Sequence, residues 1–453
     1  MQKKTIAAIS TPSGEGGIGI VRISGENAIT IADSIFKSVS GKKINELKGY
    51  TALYGDIISQ GEKLDDGVAL LFRAPKSYTG EDVVEISVHG GSYSTKETLR
   101  QALENGAELA APGEFTRRAF LNGKMNLMEA EAVMSIISAE GRSQARAALS
   151  LRDSKTKREL DNIKASLLEA SAGLAVFSDY PDDELPEFSE ETLTSALKNG
   201  AEGLKKLLST YDSGRILRQG INTVIAGRPN VGKSSLMNLL AGCRRSIVTD
   251  IEGTTRDVVE DEILLGDIKL SLSDTAGLRE SADEVEKIGV EISREKINSA
   301  ELLLAVFDNN SKENSEDLEL IELCRRLPSL AIINKSDLEA VFPAELLEGI
   351  PTVVLSAKDE ASLDILKKEI EKVCGFSEIK SGEAVLQSER QRGCCQNALK
   401  SIEEALSLLI GGFTLDTVGV CIDEALAQLL SLTGERVTNA VVDEVFAKFC
   451  VGK

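Results

Sequence analysis

The sequence predicts a multidomain fold: an α+β N-terminal domain, then an all-α helical domain that is interrupted by an inserted α/β domain. Three changes of pattern along the 453 residues predict this organisation. Alternating apolar residues come first, then helical spacing, then short apolar strands that alternate with helices, and helical spacing returns at the end. A chain of this length exceeds the size at which a single core usually stops growing. We place the domains at 1–118, 119–215, 216–377 and 378–453, where the second and fourth ranges form the helical domain.

Period-two strands with helices between them predict the N-terminal α+β domain. The expected strands are Thr5–Ile9, Ile18–Ile23 and Val83–Val88, and the expected helices are Ala28–Phe36 and Ser94–Asn105.

Two segments with helical spacing flank the α/β domain. One face of the first segment is predicted to carry Leu160, Ile163, Leu167, Leu168 and Leu174. The second segment repeats the spacing at Leu399, Ile402, Leu406 and Leu409. Both apolar faces need a partner, so we expect the two segments to form one domain. Pro181 and Pro186 interrupt the first helical pattern.

Short apolar strands predict the inserted domain. They are expected at Asn222–Ala226, Ile268–Ser273, Leu302–Phe307, Leu330–Ile333 and Thr352–Leu355. Helical patterns separate most of them, which predicts a largely parallel sheet wrapped by helices.

Composition restricts the class of protein. A net charge of -20 argues against a large non-specific nucleic-acid surface, although a local basic patch stays open. A single histidine leaves no plausible zinc cluster. Seven scattered cysteines without a C-x-x-C pair favour a reducing compartment. Since no stretch is apolar enough to span a bilayer, we expect a cytoplasmic protein without a membrane partner.

The segment Gly227–Ser234 satisfies the phosphate-loop pattern G-x-x-x-x-G-K-[ST]. It follows a predicted strand and precedes a helix expected to begin at Ser235. Glycines let the backbone N–H groups wrap phosphates, and the helix N-terminus adds positive potential. We expect Lys233 to reach the β- and γ-phosphates and Ser234 to ligate Mg²⁺.

Four further motifs follow in the order of a Ras-like GTPase domain. A switch loop at 253–257 places Thr255 on Mg²⁺, and the motif at 274–277 ends a strand, as does the motif at 334–337. Asp337 can accept from guanine N1–H and the 2-amino group, a donor pair that adenine lacks. The segment 356–358 closes the base pocket. The nucleotide-binding residues predicted from these motifs are Asn230, Val231, Gly232, Lys233, Ser234, Ser235, Gly253, Thr254, Thr255, Asp274, Thr275, Ala276, Gly277, Asn334, Lys335, Asp337, Ser356, Ala357 and Lys358.

Leu278 stands where many GTPases carry a glutamine that orients water. Leucine cannot position water, so the catalytic group must come from elsewhere. Acidic residues lie just beyond, and a solvated charged loop is the better interpretation for most of them.

Several segments resemble one family over essentially the whole chain, the MnmE (TrmE) family of tRNA modification GTPases. The segments are 112–116, 118–124, 253–257, 274–279 and 449–453. The resemblance implies a folate-binding N-terminal domain that dimerises, and a helical domain that holds the inserted G domain.

The resemblance also implies potassium-dependent GTP hydrolysis as two G domains meet. The K⁺ ligands implied by the family are Asn230, Thr249, Ile251 and Thr254, and Asp250 and Glu252 in the same loop are expected at the nucleotide. The cation would act where an arginine finger otherwise stabilises charge. The catalytic glutamate of the family falls on Glu286. From the residues alone, Asn230 could also be a turn residue.

By resemblance, the chain forms a homodimer and works with an FAD-containing, MnmG-type partner in a heterotetramer or larger complex. The pair would install a carboxymethylaminomethyl-type group on the tRNA wobble uridine, with 5-formyl- or methylene-tetrahydrofolate as the one-carbon carrier. The folate contacts implied by position are Arg22, Glu85, Lys124 and Lys453. Cys450 is the candidate redox or nucleophilic residue, and a structural role for it stays open.

Two other functions are weighed against tRNA modification. A ribosome-assembly GTPase usually appends a basic RNA-binding module, whereas this chain appends an acidic helical domain. A scaffold in which the nucleotide only orders a dimer would hydrolyse GTP slowly, with no response to dimerisation.

Overall fold

The computed structural model describes residues 4–12, 14–152, 155–179, 190–242, 261–266, 268–273, 300–375 and 383–452. The chain packs as two compact units, Met1–Met134 with Ala427–Lys453, and Ser135–Leu426. Among the helices in the described ranges, none is both long and apolar enough to cross a membrane. The domain boundaries predicted from the sequence stay a prediction.

The first unit is built on one seven-stranded sheet. Its N-terminal elements, in chain order, are β1 (Ile6–Ile9), β2 (Ile18–Ser24), α1 (Ala28–Ile35), β3 (Phe36–Ser38), β4 (Thr51–Ser59), β5 (Glu62–Phe72), β6 (Val83–His89), α2 (Ser92–Glu104), β7 (Glu108–Leu109), α3 (Glu114–Leu121) and α4 (Leu127–Ile137). The strand order is β3-β4-β5-β6-β2-β1-β7, and every pair is antiparallel except β1 with β7. The strands and helices predicted for this domain are confirmed, with their ends shifted by one or two residues.

Period-two alternation separates the two faces of this sheet. Val21 and Ile86 are fully buried in the core that also contains residues of α1 and α2. Arg22 and Glu85 are paired across β2 and β6, so they lie together on the opposite face. The same register that buries the apolar residues therefore brings two charged residues side by side.

The β4–β5 hairpin is an element that the sequence patterns do not predict. Its turn residues Gln60 and Gly61 both have positive φ, 52° and 87°, the backbone that a two-residue hairpin turn requires. Much of β5 is only half-buried or exposed. Because one face is not consistently covered, the apolar alternation that marks a strand is weak.

The second unit holds a six-stranded sheet and a group of helices. Its elements are α5 (Arg142–Arg152), α6 (Lys155–Asp179), α7 (Glu190–Ser209), α8 (Tyr211–Gln219), β8 (Ile221–Ala226), α9 (Lys233–Ala241), β9 (Asp261–Leu265), β10 (Ile268–Ser273), β11 (Leu302–Asp308), α10 (Ser315–Cys324), β12 (Ser329–Asn334), β13 (Thr352–Val354), α11 (Ser362–Val373), α12 (Glu389–Ile410) and α13 (Leu415–Thr433). The strand order is β13-β12-β11-β8-β10-β9, and only β9 runs antiparallel to its neighbour. All five strands predicted for the inserted domain are confirmed.

Strand β11 shows why this sheet reads as continuous apolar runs. Leu304 and Val306 belong to the core that includes α9 and α11, whereas Ala305 and Phe307 belong to the core that includes α10. Both faces are covered, so every position from Leu302 to Phe307 is buried. The carboxyl ends of parallel β8, β11 and β12 consequently meet at one edge, where the phosphate and base motifs follow.

The helical prediction is right in outline and wrong in detail. On α6, Leu160 and Leu167 are buried, but Leu168 is 47% exposed. The side chains of consecutive helix residues point in directions about 100° apart around the helix axis, so Leu167 and Leu168 cannot both face the core. On α12, Ile402 is buried, whereas the predicted Leu399, Leu406 and Leu409 are half-buried. Small residues such as Ala398 line the buried face, because α12 packs closely against α7.

The last helix of the chain, α14 (Asn439–Ala447), belongs to the first unit. Its Val442 and Phe446 pack in one cluster with Leu127 and Ala130. The residues that follow run beside β1, as described below.

Candidate functional site

The loop between β8 and α9 has the backbone of a phosphate cradle. Gly227, Asn230 and Gly232 have φ values of 156°, 69° and 101°. A Cβ atom on Gly232 would overlap Asn334 Nδ2, and one on Gly227 would overlap the Val306 carbonyl oxygen. Both positions therefore require glycine. The loop lies against the ends of β11 and β12 and opens onto the N-terminus of α9, where backbone N–H groups suit an anion.

Lys233 and Ser234 begin helix α9, two residues earlier than the sequence predicts. Lys233 Nζ donates to the carbonyl oxygens of Gly227 at 2.5 Å and Arg228 at 2.8 Å. Ser234 and Asn230 are exposed. A cation, a hydroxyl and a side-chain amide are thus presented around one helix N-terminus, a donor set that fits a phosphate chain with its metal ion.

Asn334, at the end of β12, joins three loops through its buried side chain. Its Nδ2 donates to the Val231 carbonyl oxygen at 2.8 Å, and its Oδ1 accepts from Ala357 N at 2.9 Å. The phosphate loop, the loop after β12 and the loop after β13 are therefore held together by one amide.

Asp337 presents its carboxylate beside this amide. Ser356 Oγ donates to Asp337 Oδ1 at 2.8 Å, and Lys358 Nζ lies 3.6 Å from Oδ2. The Ser356 hydrogen bond, together with a backbone N–H and Lys358, holds the pKa of Asp337 below its usual range. The carboxylate is ionised at neutral pH and 40% exposed, so it can accept a pair of N–H donors.

Lys335 points to the neighbouring strand. Its Nζ lies 2.6 Å from Asp308 Oδ2 at the end of β11, and its φ is 67°. The predicted residues of the phosphate and base motifs that the structure describes are thereby brought together at one edge of the sheet.

The remaining predicted residues lie outside the described part of the chain, and their roles stay predictions. They are Thr249, Asp250, Ile251, Glu252, Gly253, Thr254, Thr255, Asp274, Thr275, Ala276, Gly277, Glu286 and Lys453.

A second candidate site lies on the charged face of the first sheet. Arg22 Nε donates to Glu85 Oε1 at 2.8 Å, and the two side chains are only 14% and 20% exposed. The guanidinium carbon lies 5.7 Å and 5.5 Å from the ring centres of Tyr78 and Phe115. This is a half-enclosed polar pair beside two aromatic rings.

The C-terminal tail reaches this pair. Arg22 Nη1 donates to the Gly452 carbonyl oxygen at 3.2 Å, and Ser10 Oγ donates to the same oxygen at 3.1 Å. The carbonyl oxygen of Cys450 accepts from Gly113 N at 3.3 Å, and the Cys450 thiol is exposed. The carbonyl groups of Cys450 and Gly452 therefore hold the backbone of the tail against the first unit.

Lys124 has a different partner. Its exposed ammonium donates to the Pro75 carbonyl oxygen at 3.0 Å, in the segment that also carries Tyr78. Sequence reasoning missed Tyr78 and Ser10. No local pattern marks either residue, because their relation to Arg22 arises only from the fold.

Comparisons with known proteins cover the whole chain. The model of the "GTP-binding protein TrmE N-terminus" matches residues 5–124, and that of the "MnmE helical domain" matches 127–450. A tRNA modification GTPase MnmE of Carboxydothermus hydrogenoformans is 40% identical over 461 residues, covering 100% of both chains. The protein of the same name from Clostridioides difficile is 39% identical over 99% of each chain. The chain belongs to the MnmE family.

Both sites lie within this MnmE-family match. The Arg22–Glu85 pair falls in the part matched by the TrmE N-terminus model, and the nucleotide loops fall inside the range of the helical-domain model. Among solved structures, the G domain of the T. maritima FeoB iron transporter is 26% identical, with a TM-score of 0.25, covering 34% of this chain and 98% of that one.

Proposed function

We propose that the protein is a potassium-dependent GTP hydrolase that modifies C5 of the tRNA wobble uridine in the cytoplasm, together with an FAD-containing, MnmG-type partner. The observation that carries the nucleotide part is the Asn334 amide, which ties the phosphate loop to the loops beside the ionised Asp337. Family membership supports the tRNA part, since the curated relatives are tRNA modification GTPases.

The phosphate loop and Lys233 would hold the phosphates, and Asp337 would accept from the guanine edge. Ser234, with Thr255, would ligate Mg²⁺, which neutralises charge on the phosphates. Discrimination against adenine follows because a half-enclosed carboxylate would lose two donors. With Leu278 unable to orient water, Glu286 is proposed to act on the water indirectly.

Potassium would be held at the outer side of the phosphate loop. Asn230 supports this because its left-handed backbone and exposed side chain leave the amide oxygen available to a cation. Thr249, Ile251 and Thr254 would complete the ligand set as two G domains of the homodimer meet. A fixed cation there stabilises charge that develops on the phosphates.

A tetrahydrofolate, in its 5-formyl or methylene form, would bind at the Arg22–Glu85 pair. The Glu85 carboxylate suits paired N–H donors of a pterin, and the Tyr78 and Phe115 rings offer apolar surface beside it. Lys124 and Lys453 suit the negatively charged tail of the folate. The one-carbon unit supplied there would enter a carboxymethylaminomethyl-type product, with Cys450 as the candidate catalytic thiol.

The decisive experiment measures GTP hydrolysis by the full chain in potassium and in matched sodium buffer. We expect hydrolysis about tenfold faster in potassium, an advantage that Asn230→Ala removes and Asn397→Ala, an exposed asparagine on α12, keeps. Equal rates in both salts would contradict the potassium mechanism but leave a GTPase. Absence of GTP binding would contradict the nucleotide assignment itself.

The tRNA part needs a separate measurement. Cells without the gene should lack the modified wobble uridine by mass spectrometry of tRNA nucleosides, and the wild-type gene should restore it. Normal modification in the deletion strain, with the protein found on ribosomal particles, would instead favour a ribosome-assembly switch.

A further inference from the structure

Arg228 lies in the phosphate loop, yet its side chain contacts protein. Its Nη2 donates to Ser311 Oγ. Its Nη1 lies 3.4 Å from the Lys312 carbonyl oxygen and 3.5 Å from Asp317 Oδ2. The Arg228 side chain is 16% exposed. It therefore fastens the first half of the phosphate loop to the segment between β11 and α10.

Asp317 explains why this contact is held firmly. Its side chain is 1% exposed, and its Oδ2 also accepts from Asn314 N at 3.2 Å. Its Oδ1 has no hydrogen-bond partner among the described residues. A buried carboxylate is costly unless a cation compensates it, so separating Arg228 from Asp317 is strongly unfavourable.

The segment that receives Arg228 also anchors the base motif. Asp308, at the end of β11, pairs through Oδ2 with Lys335 Nζ. Its carbonyl oxygen accepts from Ser311 N at 3.3 Å, and Ser311 is the residue that Arg228 contacts. The phosphate loop and the guanine-recognition loop thus share one support.

Arg228 also controls the surroundings of Lys233. The two carbonyl oxygens that accept from Lys233 Nζ belong to Gly227 and to Arg228 itself. Any displacement of the Arg228 backbone moves both acceptors and shifts the start of the cradle.

We propose that Arg228 is a positioning residue for the nucleotide, acting as a brace through Ser311, Lys312 and Asp317. This inference rests on the proposed nucleotide site. The brace sets the distance between the phosphate loop and the guanine loop. The binding positions for the phosphates and for the base therefore have the correct separation before the nucleotide binds. Preorganisation of this kind raises affinity because less ordering is left for the ligand to impose.

The test compares GDP affinity of full-length variants, measured with a fluorescent GDP analogue in sodium buffer. Arg228→Ala and Asp317→Asn should each raise the Kd about tenfold, equivalent to ~1.4 kcal/mol. Asp317→Asn keeps an oxygen for Asn314 N but removes the charge. The double variant should bind no more weakly than Arg228→Ala, because the two residues act as one unit. In GTP hydrolysis, KM should rise more than kcat falls.

Arg228→Lys should give an intermediate Kd, since one ammonium cannot reach all three partners with the geometry of a guanidinium. The control is Asn314→Ala. Asn314 Oδ1 accepts from Asp317 N at 3.0 Å to cap α10, whereas the polar partners of Arg228 are Ser311, Lys312 and Asp317. Losing this cap should lower the Tm by a few degrees and leave the GDP Kd within about twofold.

The outcomes separate the brace from simple stability. If Asn314→Ala weakens GDP binding as much as Arg228→Ala does, the loss of affinity reflects the folding of α10, and the brace is wrong. If Arg228→Ala and Asp317→Asn bind GDP with wild-type affinity, the brace is wrong, but the proposed nucleotide site is unaffected. A wild-type chain that binds no GDP would overturn the proposed nucleotide site, and the brace with it.

Discussion

The phosphate loop and the Arg22–Glu85 pair differ in how far apart along the chain their contacting residues lie. Lys233 Nζ contacts carbonyl oxygens five and six residues away. Arg22 contacts Glu85, 63 residues away, and Gly452, 430 residues away. The contacts of Lys233 are therefore encoded within one short motif, whereas the Arg22–Glu85 site forms only when the register of β2 with β6 and the C-terminal segment come together.

The difference affects what a substitution does at each site. In the phosphate loop, backbone conformation is the critical property, so glycine positions are decisive. On the first sheet, the backbone is ordinary β-strand, and side-chain pairing across β2 and β6 is decisive. Three substitutions test this contrast, and they are given in order of decreasing effect.

Gly232→Ala should have the largest effect. The backbone at this position has a positive φ, 101°, which alanine disfavours. The added Cβ would also overlap Asn334 Nδ2, so the amide that joins the three loops must move. We expect the GDP Kd to rise at least about 100-fold, measured with a fluorescent GDP analogue, because both the cradle and its anchor are disturbed.

The matched control is Gly349→Ala in the same unit. Gly349 also has a positive φ, 81°, but nothing lies within 4 Å of its added Cβ. It should cost only the strain of about 1 kcal/mol, seen as a lower Tm, with normal GDP binding. Equal loss of GDP affinity in both variants would show that general destabilisation, and not the loop contact, is responsible.

Arg22→Ala should have the next largest effect, on the second site. It leaves the Glu85 carboxylate without its cation and removes one donor to the Gly452 carbonyl oxygen. We expect binding of 5-formyl-tetrahydrofolate, measured by calorimetry, to weaken about tenfold, with GDP affinity unchanged. Arg73→Ala is the control, because Arg73 donates to backbone carbonyls of Asn45 and Leu47 in the same unit. A similar loss of folate affinity in that control would contradict a specific role for Arg22.

Ser356→Ala should have the smallest effect. Without the Ser356 hydroxyl, the pKa of Asp337 moves up toward its usual range. We expect a GDP Kd about threefold higher near neutral pH, because a hydrogen bond to a partly exposed carboxylate contributes only modestly to the free energy of GDP binding.

The pH dependence gives a second readout. Because the pKa of Asp337 is lowered, its carboxylate is ionised throughout and above the usual carboxyl pKa range. It becomes protonated, and stops accepting, only as the pH falls through the lowered pKa. GDP affinity of Ser356→Ala should therefore begin to fall at a higher pH than in wild type. Ser336→Ala, an exposed serine in the neighbouring motif, should follow the wild-type profile. Identical profiles for all three proteins would contradict the assigned cause of the pKa shift.

The sequence predicted the inserted domain more fully than the helical one. Five of the six strands of the inserted sheet follow from the sequence, and β11 is the clearest of them, because Leu302–Phe307 is buried on both faces and forms an unbroken apolar run. Leu168 was placed wrongly because three- and four-residue spacing admits two adjacent leucines, while only one can face the core. The β4–β5 hairpin was missed because its half-exposed strands lack a regular apolar period.

The phosphate loop follows from the amino-acid sequence alone. Gly227, Gly232 and Lys233 at fixed spacing, between a strand and a helix, mark a loop whose positive φ values glycine adopts readily and other residues do not. This conformational freedom is a local property that a single sequence displays, whereas the close approaches of Val306 and Asn334 to the two glycines arise from the fold.

Which charged residues act together depends instead on contacts between distant parts of the chain. Arg22 with Glu85 and Arg228 with Asp317 look like scattered surface charges along the chain, because nothing local distinguishes a paired charge from a solvated one. Their pairing depends on the register of β2 with β6, and on how α10 packs beside the phosphate loop. Burial by those distant contacts strips water from the charges and turns each pair into a fixed part of its site.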